Sequence, residues 1–194
     1  MTSGEKILTL VRSTQRLHAE IAALLKTFEK LSIDRGFLNR KNKSVSNGCS
    51  DSIDSPEVWM TPWMFRHLQN KNDPDDILIL NVILAPDDEV AGRRDFKEPL
   101  VLCGRFRYNK GKAKGYEKDW DPHDLWFYGP EKKMDRPYSV QELELESKEF
   151  QSEAGWEGVW KALKDVRFLA MPLASMVDSK TLERSVIQRI LTNP

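Results

Sequence analysis

The strongest constraint on this chain is a period. Between Glu5 and Ser32, the residues Ile7, Leu10, Thr14, Leu17, Ile21, Leu24, Phe28 and Leu31 recur in steps of three and four, the spacing that lines up side chains along one stripe of a helix. With Ile7 at position a, the a and d positions run unbroken through four heptads, a helix of ~40 Å at ~1.5 Å per residue. Thr2 followed by Glu5 has the spacing of a capping box. Lys26 and Lys30 complement the negative end of the dipole, and Gly36 closes the helix.

A two-stranded zipper carries complementary charges at e and g. Here e holds Val11, His18 and Leu25, and g holds Lys6, Ser13, Glu20 and Thr27. The apolar stripe is therefore a/d/e wide, which suits a bundle or the flank of a globular body better than a lone zipper. Ile7, Leu10, Leu17, Ile21, Leu24 and Phe28 become the candidate partner-binding residues. Two placements are open for this stripe: against the chain's own domain, or across to a protein partner or a second copy of the chain.

The remaining bounds are broad. A chain of 194 residues suits one domain with an appendage. Lys plus Arg and Asp plus Glu both number 30, so no overall charge draws the protein to nucleic acid or an anionic membrane. Cys49 and Cys103 make neither a disulfide framework nor a metal pair by spacing. No stretch approaches the ~18 apolar residues of a membrane span, and the amino terminus lacks the apolar core of a signal peptide. These features lead us to expect a soluble, cytoplasmic protein with no membrane association and no cofactor.

Three regions are expected: the helix at 1–34, a polar flexible linker at 35–55 in which the apolar period vanishes, and an α+β globular domain at 56–194. Within the last, Thr61-Pro62 reads as a cap followed by proline at the first helical position, which predicts a short helix from Pro62 to about Gln69. Asp73-Pro74-Asp75-Asp76 is a turn, and the apolar run Ile77 to Ala85 is a central strand. Pro99 to Tyr108 is a second strand, expected to pair with it antiparallel. Leu125 to Tyr128 and Val166 to Leu173 are further strands, and Ser152 to Leu163 has helical spacing. A last helix begins at Asp178 or Ser179, with Leu182, Val186, Ile187, Ile190 and Leu191 as its apolar face. The fold class expected is α+β, a mostly antiparallel sheet with helices packed on one face, preceded by the long amino-terminal amphipathic helix.

Three constellations carry possible chemistry. Arg105 and Arg107 on a strand, followed by Lys110, Lys112, Lys114 and Lys118 with Tyr108, Tyr116 and Trp120 among them, combine positive charge with stacking surfaces as a nucleic-acid interface does. Lysines at a hairpin tip equally keep a loop soluble and unpaired. Asp119, Asp121 and His123 gather donors for a divalent cation, but the calcium-loop pattern fails, with Pro130 at the place of its bidentate Glu. Asp135, Glu146 and Lys148 have the residue types with which many nucleases hold magnesium and polarise water. Glu142, Glu144, Glu146 and Glu149 nonetheless resemble a solvated acidic face, although Leu143 and Leu145 alternate between them as a strand would. The leading expectation is a non-catalytic interaction protein that self-associates or docks a partner through the heptad-patterned helix. The competing one is a nucleic-acid-binding protein using residues 105–118, extended to a metal-dependent nuclease.

Overall fold

The computed structural model describes residues 2–39, 46–47, 61, 63–84, 98–113, 141–146 and 162–192. The periodic stretch forms α1 (Ser3–Ile33), and its capping box is made. The Thr2 hydroxyl accepts from the Glu5 amide at 3.3 Å, and the Glu5 carboxylate accepts from the Thr2 amide at 2.6 Å, satisfying two donors that a helix start leaves orphaned. At the other end Gly36, at φ +86°, turns the chain directly into β1 (Phe37–Asn39). Part of the stretch expected as linker is thus paired: β1 and the short β2 (Ser46–Asn47) both lie antiparallel along β3 (Trp63–Asn70).

One antiparallel sheet follows, in the order β1-β3-β4-β5-β7-β6, with β4 at Asp76–Ile83, β5 at Leu100–Tyr108, β6 at Gln141–Glu146 and β7 at Leu163–Pro172. The expected strands at Ile77, Pro99 and Val166 are all present, and β4 pairs with β5 antiparallel. The segment expected as a helix from Pro62 is instead β3. A local cap signature lost to pairing: the turn after β3 brings it against β4 from Trp63 opposite Ile83 to Gln69 opposite Ile77, and a ladder of that length outweighs a single-turn preference. Side-chain oxygens shape that turn, Asn70 accepting from the Asn72 amide and Asp73 from the Asp75 amide, each at 3.0 Å. The strand expected at Leu125 and the helix expected from Ser152 lie outside the described residues, apart from Ala162 and Leu163.

The described helices pack on one face of the sheet. Ile21, Leu25 and Phe28 of α1 meet Leu68, Leu78, Leu80, Val82, Val101, Cys103, Leu169 and Met171 in one core. The carboxy-terminal helix, α2, joins the same core through Leu182, Val186, Ile187 and Ile190. It is α-helical over Ser179–Leu182, widens to π over Glu183–Gln188 and closes as α over Arg189–Leu191. Asp178 caps it by accepting from the Thr181 amide at 2.7 Å. Among the described residues, ion pairs fix α1 and the turn after it to the body: the Arg66 guanidinium on β3 with Glu29 of α1, and Arg35 of the turn with Glu183 of α2 at 2.7 Å.

The opposite face is apolar and buried as well, which is why β4 reads as a continuous hydrophobic run rather than an alternating one. Phe106 and Phe168 sit edge to face there with centroids 5.2 Å apart. Gly104 leaves the room: a Cβ on it would lie 2.6 Å from the Phe106 ring. The α+β class, the antiparallel sheet and the one-sided packing of the helices follow the reading from sequence.

Candidate functional site

The six stripe residues proposed for partner binding divide into three settings. Ile21 and Phe28 are committed to the chain's own core, 2% and 0% exposed, because α1 lies across β3 and β4 at that level. In this structure these two face the chain's own sheet rather than an open surface. Leu17 and Leu24 are half-buried beside them. Ile7 and Leu10 remain exposed at 63% and 68%, and with them Leu8 at 47% and Val11 at 49%. The first turns of α1 continue the stripe without covering it.

This arm is held helical by its own chemistry. It continues a helix whose nucleus is already packed, so it bears no separate nucleation cost. The capping box secures its start, and Arg16 pairs with Glu20 at 3.0 Å, an i,i+4 contact. The four exposed apolar side chains represent roughly 4 kcal/mol of burial per arm that the isolated chain does not realise, at about 1 kcal/mol for each half-covered side chain. Singly exposed apolar residues are ordinary; four within little more than one turn of one helix form a patch.

Where the arm leaves the body, a groove of about 470 Å³ opens beside it. Its walls are Leu17, Ile21 and Leu24 of α1, Pro99 at the entry to β5, and Leu173, Ala174, Met176 and Val177 after β7, with Glu20 and Glu98 as its charged groups. Leu173 to Ser175 form a single 3₁₀ turn, tied to the neighbouring strand entry by the Leu173 amide donating to the Pro99 carbonyl at 2.8 Å. Val177, 77% exposed, extends the apolar surface beyond the groove. Leu8, Glu98 and Val177 escape a reading by heptads. Leu8 falls outside the a/d/e stripe, and the other two reach α1 only through the fold.

The cationic constellation meets a different environment. Arg105 donates to both carboxylate oxygens of Asp76, each at 2.9 Å. That bonding holds its guanidinium charged, above the ordinary arginine value, although burial opposes it. Arg107 pairs with Asp165 at 2.6 Å. Asp76 also accepts from the Asn70 amide group at 2.9 Å, so the strand arginines are matched within the sheet. Lys110 and Lys112 are exposed on the turn after β5, where the Asp75 carboxylate accepts from the Gly111 amide at 2.6 Å and the Ala113 amide at 3.1 Å. Lys114, Lys118, Asp119, Asp121, His123, Asp135 and Lys148 lie outside the described residues. Glu146 ends β6 opposite Asp165 in the register of β7. Among the described residues no group of three or more His, Cys, Asp or Glu side chains is placed to hold a metal ion, and no helix is long and apolar enough to cross a membrane. Comparison with protein families, curated proteins and solved structures found no match to this chain.

Proposed function

We propose that this chain is a non-catalytic interaction protein that self-associates or docks a protein partner through the amino-terminal half of α1. The observation that carries the reading is the row Ile7, Leu8, Leu10 and Val11, exposed on a helix that is capped at its start and anchored at its far end. A folded arm with an uncovered apolar stripe presents a rigid, low-entropy surface of the kind that helix-in-groove and helix-pair recognition use. We place it in the cytoplasm, where a thiol such as that of Cys103, free and buried in the core, stays reduced.

Light scattering on the full chain tests this. Replacing Ile7 and Leu10 together by Glu should lower the mass to that of a single 22.5 kDa chain, with the circular dichroism spectrum unchanged because neither side chain enters the core. A native chain that already has the single-chain mass at every concentration would remove self-association and leave only a different partner for the arm.

A further inference from the structure

Resting on that reading, we propose that the arm's partner is a second copy of this chain, bound as an antiparallel α1–α1 pair about a two-fold axis level with Arg12. The argument comes from the g positions. In an antiparallel helix pair, a residues face d residues of the other helix, while g faces g and e faces e. Setting Ile7 opposite the partner's Leu17 and Leu10 opposite the partner's Thr14 gives four successive layers, two wholly apolar ones at the outside and two at the centre in which Leu10 meets the methyl and hydroxyl of Thr14. The same register sets Lys6 against the partner's Glu20, and by symmetry Glu20 against the partner's Lys6. It also brings Ser13 against its own copy and Val11 against its own copy.

A parallel pair sets g against e, which would put Lys6 on Val11 and Glu20 on Leu25 and match no charge. The charges of this helix thus select direction as well as register. Lys6 and Glu20 lie two heptads apart, ~21 Å along one helix, so they cannot satisfy one another within a chain. In the antiparallel register the pair forms across the axis, twice, with Lys6 joining Arg16, which already holds Glu20 within its own chain at 3.0 Å.

The groove agrees with this arrangement. The partner's helix start, with its partial positive charge and Lys6, arrives beside Leu17 and Glu20, where Glu20 and Glu98 supply negative charge and Leu173, Met176 and Val177 supply apolar wall. Both groups of the proposed pair are accessible in the single chain: Glu20 has a side-chain exposure of 64%, and Lys6 is exposed. The interface is isologous and closed, the same patch serving both copies.

A charge-reversal cycle on the full-length protein tests the pairing, with the dissociation constant read by sedimentation equilibrium at low salt. Lys6→Glu and Glu20→Lys should each weaken the dimer by about 10-fold, since each turns two attractions into repulsions. The combined variant should return to within about 3-fold of the parent. Only a contact between chains can produce that recovery, and ~1 M salt should flatten all three differences. A dimer broken by the Ile7 and Leu10 replacements but indifferent to charge reversal would overturn the antiparallel register while leaving the arm as the associating surface. Single-chain mass for the parent protein at all concentrations would overturn the second copy as partner.

Discussion

Asn81 is the residue whose chemistry fits its surroundings least. It sits in the middle of β4 between Phe65 and Leu102 in the sheet register, it is 0% exposed, and among the described residues neither its amide nitrogen nor its oxygen has a hydrogen-bond partner. Burying such a group unpaired costs about 1–3 kcal/mol. Asn81→Leu, which keeps the volume and removes the polar atoms, should therefore stabilise the protein by about 1–2 kcal/mol, raising the urea midpoint with the m-value unchanged. A lower midpoint would show that the amide contributes to the native state. Nothing local marks Asn81 out, since a single Asn in the run Ile77 to Ala85 does not disturb a strand reading. Arg105 and Arg107 show the same limit from the other side. Their partners, Asp76 and Asp165, stand 29 and 58 residues away in sequence, so a pair of alternating arginines looks like a free cationic face until the register of β4, β5 and β7 is known.

Among the elements, helix ends were the most legible parts, because capping is decided within four residues. Thr2 with Glu5 and Asp178 with Thr181 are both made as the residue types imply. β3 was the least legible. Trp63, Met64, Phe65 and Leu68 carry no clean period because both faces of that strand meet other side chains, and its identity is settled by β4, a segment the local signal at Thr61-Pro62 does not include. The cap of α2 makes a prediction with a sign. The Thr181 amide donating to Asp178 holds its carboxyl below the ordinary value, so the charged form is favoured in the folded state. That contribution is fully present above about pH 4, the unfolded value, and is lost as pH falls through the lowered folded value. Asp178→Asn should keep the cap and flatten this acid-side dependence, while Asp178→Ala should lower the melting temperature by a few degrees at neutral pH. Circular dichroism melts of the three proteins between pH 2 and 7 read both effects; parallel pH profiles for all three would exclude a titrating cap.

For the whole molecule, the decisive fact is that one stripe has two settings. From Ser32 back to Ile21 it closes the sheet, and from Leu17 towards Ile7 it emerges from the body, with no change of period at the boundary. Sequence shows the stripe but not where it leaves the core, because that level is set by Leu68, Leu78 and Leu80 of β3 and β4. Truncation separates the two settings. A chain beginning at Thr14 retains Ile21, Leu25 and Phe28, so it should fold, its far-ultraviolet helical signal reduced only by the deleted first turns of α1, while existing as a single chain. Its melting temperature should then lose the dependence on protein concentration that an associating chain has. A chain beginning at Gly36 loses those three core side chains and uncovers the strand residues beneath them. At roughly 2–3 kcal/mol each, the loss is on the order of 6–9 kcal/mol, comparable with the ~5–15 kcal/mol of a whole domain, and this chain should fail to fold. A well-folded chain from Gly36 would mean that α1 contributes little to the body and that its packing on the sheet is incidental. A chain from Thr14 that still melts in a concentration-dependent way would move the associating surface off the arm.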